Sequence, residues 1–411
     1  MLIAGLMFKN MGVANDQIAR WTGLLALAWG FKWLWSPFLE LARSKKLIVV
    51  AMQFTGVLGL ALMALALQLP MYFAASIAVL FLLAFASATH DIACDGLYMA
   101  SLDSTRQAAY AGWQGAFFNA SKFLTLGGLL VLAGHLETRY GVFNAWSVIF
   151  MLLAIVLALF ASYNAWALPG VLNTDHGDLT ARGMAKTLVE VIVDFFRKPG
   201  ILLAILFIVL FRFAEGQVQT IGPLFLIEAR EKGGLGLTTE QVGGIYGAAG
   251  TAAFLVGSIF GGYFTSWLGL KRAMPVLILA MAVPNAVFYY LSVALPSDLF
   301  HTGVAVSVEM FGYGFGFVGM ILYIMLAVAP GRFQTAHYAL GSGVMQLGYA
   351  FSKTISGDIQ LAMGYQQFFL WTIVCGAPAL ALMFFVRIPG KNGAAPPSAE
   401  LETGPAEAQR A

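Results

Sequence analysis

Runs of about twenty apolar residues recur along the whole chain, and each is long enough to cross a hydrocarbon layer about 30 Å thick. Inside such a layer the backbone has no water to bond, so a spanning segment must satisfy its own N–H and C=O groups, and a single run of this length does so as a helix. The runs lie near 17–37, 47–67, 71–93, 108–133, 144–167, 200–223, 241–266, 273–294, 302–328, 335–355 and 366–387. Composition agrees: 60% of the residues are hydrophobic and 10% charged, against roughly 25% charged in a soluble domain. The net charge of +3 is scattered over segment ends and forms no nucleic-acid patch. Cys94 and Cys375 stand alone in apolar runs and read as two buried thiols, not as a disulfide or a metal site.

Orientation follows from the basic residues. Arg43, Lys45, Lys46, Arg106, Arg182, Lys186, Arg197, Lys198, Lys271, Arg272, Arg332, Arg387 and Lys391 fall in one set of connections, which places those loops and the C-terminus in the cytoplasm. The opposite set holds Lys9, Arg20, Arg139, Arg230 and Lys232. Met1 to Phe8 is apolar but too short to span, and it lacks the features of a signal peptide. With Lys9 outside, it reads as the tail of a first span and Met1 as an internal methionine; the alternative is a true eleven-span chain.

The expected organisation is an N-terminal membrane half over 1–167, a cytoplasmic connection over 168–198, a six-helix half over 199–388 and a disordered tail over 389–411. In the connection, Met184, Leu188, Val191, Ile192 and Phe195 share one helical face and Lys186, Glu190, Asp194 and Arg197 the other, so the spacing predicts a helix lying on the membrane surface.

Ionisable residues inside spans cost about 2.5–3.5 kcal/mol at a helix centre and so face a cavity or a partner. Lys122 lies well inside its span, with Gln114 and Phe118 on its face and Asn119 beside it. This is either a cavity wall that grips an anionic or sugar-like solute, or a lysine that pairs with a carboxylate of another span. Arg212, Glu215 and Gln219 form a second stripe. Burial disfavours a charged carboxylate and a nearby arginine favours it, so Glu215 reads as a proton carrier or as half of a static Arg–Glu pair. Glu309, with Tyr313 one turn on, is a second proton candidate or a neutraliser of Lys353 or Lys122. Lys353, close to the end of its run, reads as snorkelling. Asp91 and Asp95, four apart, either gate the cytoplasmic mouth by bonding to basic residues such as Lys32 or Arg106 or mark an ordinary solvated helix end. Lys32, about one turn from the inner surface, could equally snorkel.

Two connections repeat a pattern. Ser36-Pro37-Phe38-Leu39-Glu40 leads to Arg43, Lys45 and Lys46, and Gly262-Tyr263-Phe264-Thr265-Ser266 leads to Lys271 and Arg272. This resembles the loop motif of the major facilitator superfamily, with Glu40 in the acidic position, a gating role by that likeness, and Ser266 replacing the acid in the second copy. The resemblance implies an all-α integral membrane protein, a two-half helical bundle with about eleven complete transmembrane helices where the family has twelve. Phe31-Lys32-Trp33-Leu34-Trp35-Ser36-Pro37 and Thr89-His90-Asp91-Ile92-Ala93-Cys94-Asp95-Gly96 are similar to stretches of the AmpG-type muropeptide permeases. That likeness implies proton-coupled import of cell-wall sugar-peptide fragments across a bacterial inner membrane, by a monomer working with a small solute, protons and the bilayer, without cofactor, metal or nucleic acid.

Other classes are weaker. Gly314-Phe315-Gly316-Phe317-Val318-Gly319 matches a dinucleotide fingerprint but no strand precedes it. No nucleotide-binding P-loop occurs, and His90, His135, His176, His301 and His337 have no ligand spacing, which argues against a membrane enzyme. A non-transporting sensor or remnant is the remaining alternative. Gly243, Gly247, Gly250, Gly257 and Gly261 recur at helical spacing and predict close helix packing.

Overall fold

The computed structural model describes residues 2–36, 39, 44–102, 117, 120–170 and 181–390. Because the long apolar runs can bond their backbones only internally, their described parts are predominantly helical. The first half contains α1 (Leu2–Asn10), α2 (Asn15–Leu24), α3 (Leu27–Phe31) with a 3-10 turn at Lys32–Leu34, α4 (Lys45–Ala66) and α5 (Tyr72–Ser101). A π-helical turn at Phe123–Leu129 runs into α6 (Leu130–Tyr140), followed by α7 (Val142–Ala167). After the connecting α8 (Ala181–Arg197), the second half holds α9 (Ile201–Phe211), α10 (Phe213–Ile227), α11 (Thr239–Gly243), a π-helical turn at Gly244–Gly250 and α12 (Thr251–Leu268). It ends with α13 (Leu270–Ala282), α14 (Ala286–Ala294), α15 (Leu299–Tyr323), α16 (Gln334–Val374) and α17 (Ala377–Leu382).

Among the described residues, eight continuous stretches are long and apolar enough to cross a membrane. The eleven expected segments differ from these for local reasons. The 17–37 run is broken between α2 and α3, where Ala26 N–H tightens to the Gly23 carbonyl (3.0 Å). Part of the 108–133 run lies outside the described residues. The last two runs form one stretch, Ala336–Leu382, bent at Gly364 (φ 75°).

The two halves are held together unequally. At the end that carries Lys9, a single apolar core joins Leu6 and Phe8 of α1 and Trp146 of α7 to Phe225 of α10 and Phe369 of α16. At the basic end the buried cores are separate, one around Phe207, Met274 and Tyr323 in the second half and others around Ala88 and Val49 in the first. The glycine stripe serves two interfaces. A Cβ on Gly247 would lie 2.1 Å from the Gly127 nitrogen across the halves, and one on Gly257 2.1 Å from the Phe311 carbonyl oxygen on α15.

The connecting helix is amphipathic as the spacing predicts: Val191 and Phe195 are buried and Lys186, Glu190, Asp194 and Arg197 exposed. His337 of α16 anchors it through a 3.3 Å contact with the Val191 carbonyl. Gly314–Gly319 lies within α15, a helical setting unlike a dinucleotide loop. The two cysteines are free, but only Cys375 is buried; Cys94 is partly exposed, 3.5 Å from His90 Nε2.

Candidate functional site

The membrane stretch Ile201–Ile227 is interrupted at Arg212, whose backbone (φ −103°, ψ 6°) separates α9 from α10. Beside the break, the Phe213 carbonyl accepts bonds from the Ser352 hydroxyl and, at 3.3 Å, from the Gln217 amide. A broken helix inside a bilayer is tolerated where neighbours supply such bonds, and here the break places a charged group in the bundle interior.

Arg212 is 4% exposed, Glu215 and Glu309 1% each and Lys353 5%. The guanidinium donates to Gln346 Oε1 at 3.2 Å and to the Tyr313 hydroxyl at 3.0 Å. It lies over the rings of Tyr349 (4.1 Å), Phe317 (4.9 Å) and Tyr313 (5.9 Å), a cation–π box that holds a planar cation well. Gln219 donates to Glu309 Oε1 at 3.1 Å. Both Glu215 oxygens, Glu309 Oε2 and Arg212 Nε are buried without a hydrogen-bond partner among the described residues. An uncompensated buried charge costs several kcal/mol. The cluster therefore has unused capacity to bind a proton or a polar solute.

The expected stripe is thus assembled, with Glu309 added to it, and no Arg212–Glu215 ion pair closer than 4 Å forms among the described residues. Lys353 corrects the sequence reading. It does not snorkel: its amine is buried 5.5 Å from the Tyr349 ring centre. Lys122 lies half-buried, 5.6 Å from the centre of the Phe254 ring. Phe254 packs on Tyr313 at 5.0 Å, so a chain of rings links Lys122 of the first half to Arg212 of the second.

Lys32 and Asp91 form an ion pair of 2.7 Å at the basic end, with side chains 36% and 48% exposed. Both belong to the first half, so the pair braces one half and does not itself tie the two together. Asp95 makes no hydrogen bond or ion pair among the described residues. Gln114, Asn119, Glu40 and Arg106 lie outside them.

The sequence reading missed a polar network at the opposite end. Lys9 pairs with Glu228 and donates to Asn15 Oδ1 at 2.8 Å. Asn15 donates to Gln360 (2.7 Å) and to the Tyr365 hydroxyl (2.8 Å), which donates to Glu228 at 3.1 Å. Glu137 accepts from Asn10 (2.9 Å), Thr239 (2.7 Å) and the Trp146 indole (2.6 Å). Arg20 and Asp358 add an exposed pair at 2.9 Å. Charged residues in the charge-poor loops were the available signal, but the partners of Lys9 and Arg20 across the halves, Glu228 and Asp358, lie 219 and 338 residues away.

Against this geometry, the family model of the Major Facilitator Superfamily matches residues 2–357. The chain belongs to the Major Facilitator Superfamily. As a member, it is similar to the anhydromuropeptide permease of Escherichia coli (strain K12), at 24% identity over 406 residues, covering 94% of this chain and 76% of the permease. It is 23% identical over 314 residues to the putative transporter AmpG 4 of Rickettsia conorii, covering 74% and 71%. Among solved structures, a D-xylose-proton symporter has a TM-score of 0.71 at 12% identity, covering 96% and 94%. The nucleoside transporter NupG has 0.66 at 16%, covering 93% and 92%. Identities this low speak for the fold, and the superfamily's fold is the two-half helical bundle found here. The chain is a multi-pass membrane protein of a superfamily in which the relatives it resembles carry permease and transporter names.

Proposed function

We propose that this facilitator is a proton-coupled importer of cell-wall-derived muropeptide, or of a related amino-sugar or peptide solute, in a bacterial inner membrane. The observation that carries the reading is the buried cluster of Arg212, Glu215, Gln219 and Glu309, whose carboxylate oxygens are not used up by protein hydrogen bonds. Arg212 and Lys122, joined through Phe254 and Tyr313, supply cationic walls for an anionic, sugar-bearing solute. Glu215 and Glu309 carry the coupled proton, with Gln219 bonded to one and close enough in sequence to serve the other. Gln114 and Asn119 complete the solute wall by their helical spacing from Lys122.

The halves rock about this central site, as in transporters built from two repeats. The Lys9–Glu228 network is the latch of the extracellular mouth, and Lys32, Asp91, Asp95, Glu40 and Arg106 are the first half's gating candidates at the cytoplasmic one, where the Lys32–Asp91 pair braces its own half. Support for the cargo comes from the likeness to a protein named anhydromuropeptide permease along 94% of the chain. Uptake of labelled anhydromuropeptide by cells lacking their own permease tests the proposal. Accumulation that a protonophore abolishes is expected. Accumulation that survives full collapse of the proton gradient removes proton coupling, and no uptake by a chain confirmed in the membrane removes the cargo.

A further inference from the structure

Basic residues at both ends of the bundle are paired with carboxylates or cap backbone carbonyls. At the charge-poor end, Lys9 and Arg20 are paired with carboxylates and Arg230 caps the Leu295 and Pro296 carbonyls at 3.0 and 2.7 Å. At the basic end, Lys46 caps the Leu168 carbonyl (2.7 Å) and Lys198 the Val328 and Pro330 carbonyls (2.6 and 2.8 Å). Lys271, Arg272 and Arg387 make no hydrogen bond or ion pair among the described residues, yet all three line one cleft of about 1170 Å³. Among the described residues, no acidic residue lines that cleft. The loop position where the first repeat has Glu40 is Ser266 in this repeat, so the local neutralising acid is missing from the sequence as well.

Both sides of the cleft also carry apolar residues. Pro275 of α13 faces Phe384 and Phe385 beyond α17, and these two phenylalanines are 75% and 72% exposed. The cations stand at the ends of membrane helices, which is headgroup depth, and the aromatics stand beside them where acyl chains begin. A soluble anion would use the cations and leave the aromatic rim idle. We infer that this cleft, between the start of α13 and the segment after α17, binds the headgroup of an anionic phospholipid, with Lys271, Arg272 and Arg387 on the phosphate and Phe384 and Phe385 on the chains. Guanidinium groups suit phosphate because they present paired donors to its oxygens.

Native mass spectrometry of the full chain in neutral detergent, titrated with phosphatidylglycerol or phosphatidylcholine, tests this. The expected result is retention of phosphatidylglycerol over phosphatidylcholine, reduced about tenfold or more in a Lys271→Gln, Arg272→Gln, Arg387→Gln variant, since each basic residue adds attraction to anionic lipid. If that variant does not fold, Arg387→Gln alone gives a partial loss, and Phe384→Ala with Phe385→Ala gives a loss with all three charges kept. Equal retention of both lipids, or unchanged retention in these variants, overturns the assignment. Displacement of phosphatidylglycerol by an equal concentration of inorganic phosphate overturns it in favour of a soluble anion. Retention that appears only after Glu400, Glu402 and Glu407 are changed to Gln makes the chain's own tail the occupant, and also overturns it.

Discussion

Glu215 is the residue on which the proposed proton coupling turns. Both of its oxygens are buried without a hydrogen-bond partner among the described residues, and the nearest strong cation, Arg212, is committed to Gln346, Tyr313 and three aromatic faces. Glu215→Gln keeps the shape and fixes the group in a neutral state. Accumulation of solute against its gradient should then fall to simple equilibration, while exchange of internal for external solute continues near the wild-type rate, because rocking of a permanently neutral carrier is still allowed. Counterflow and accumulation assays on the same cells separate the two, and full accumulation by the variant excludes Glu215 as carrier. The Arg212, Glu215, Gln219 stripe was legible because helical spacing puts these residues together without any knowledge of tertiary structure. Lys353 was misread because the run 335–355 looked like a complete span. The helix in fact continues to the bend at Gly364, which places Lys353 roughly 17 Å from that bend at 1.5 Å per residue. Gln346, Tyr349 and Phe254 carry no local mark of their role, since they act only through residues distant in sequence.

At the scale of elements, helix existence was written in the apolar runs and helix breaks were not. The break at Arg212 leans on the bond from Ser352 of α16 to the Phe213 carbonyl, which no window of sequence displays, whereas the break at Ala26 and the bend at Gly364 are local turns of the backbone. Glycine spacing was the exception, because a row of missing side chains predicts close approach whatever the partner proves to be. Gly247 packs its backbone against Gly127 of the other half, whereas a Cβ on Gly262 would meet nothing within 4 Å. Gly247→Ala should therefore destabilise the protein by about 1–3 kcal/mol through overpacking between two backbones. Gly262→Ala should be neutral or stabilising by up to about 1 kcal/mol, as alanine is the better helix former. Thermal melts of the two purified variants decide it, and a Gly247→Ala melt equal to wild type would mean that the halves can part locally at no cost.

For the whole molecule, the halves share an apolar core at one end and keep separate cores at the other, and the polar network around Lys9 and Glu228 joins the halves at the shared end. Its two ion pairs should not contribute equally. Arg20 and Asp358 are 44% and 50% exposed, and such pairs contribute little. The Lys9 and Glu228 side chains are 13% and 12% exposed and share Asn15 and Tyr365, so removing one charge strands the other in a largely desolvated place. If the halves separate at this end, water reaches Lys9 and the penalty disappears. Glu228→Gln should then favour the separated state by about 2 kcal/mol, roughly a thirtyfold change in population. The exposed pair supplies the reporter: spin labels on Arg20→Cys and Asp358→Cys, in a chain with Cys94 and Cys375 replaced, sit on opposite halves at this mouth and replace an interaction of little weight. Dipolar distance measurements in lipid nanodiscs should show a short distance in the otherwise unaltered chain and a new, longer population after Glu228→Gln. An unchanged distribution would assign closure to the apolar core alone, since Leu6, Phe8, Phe225 and Phe369 would then hold the mouth shut without the ion pair.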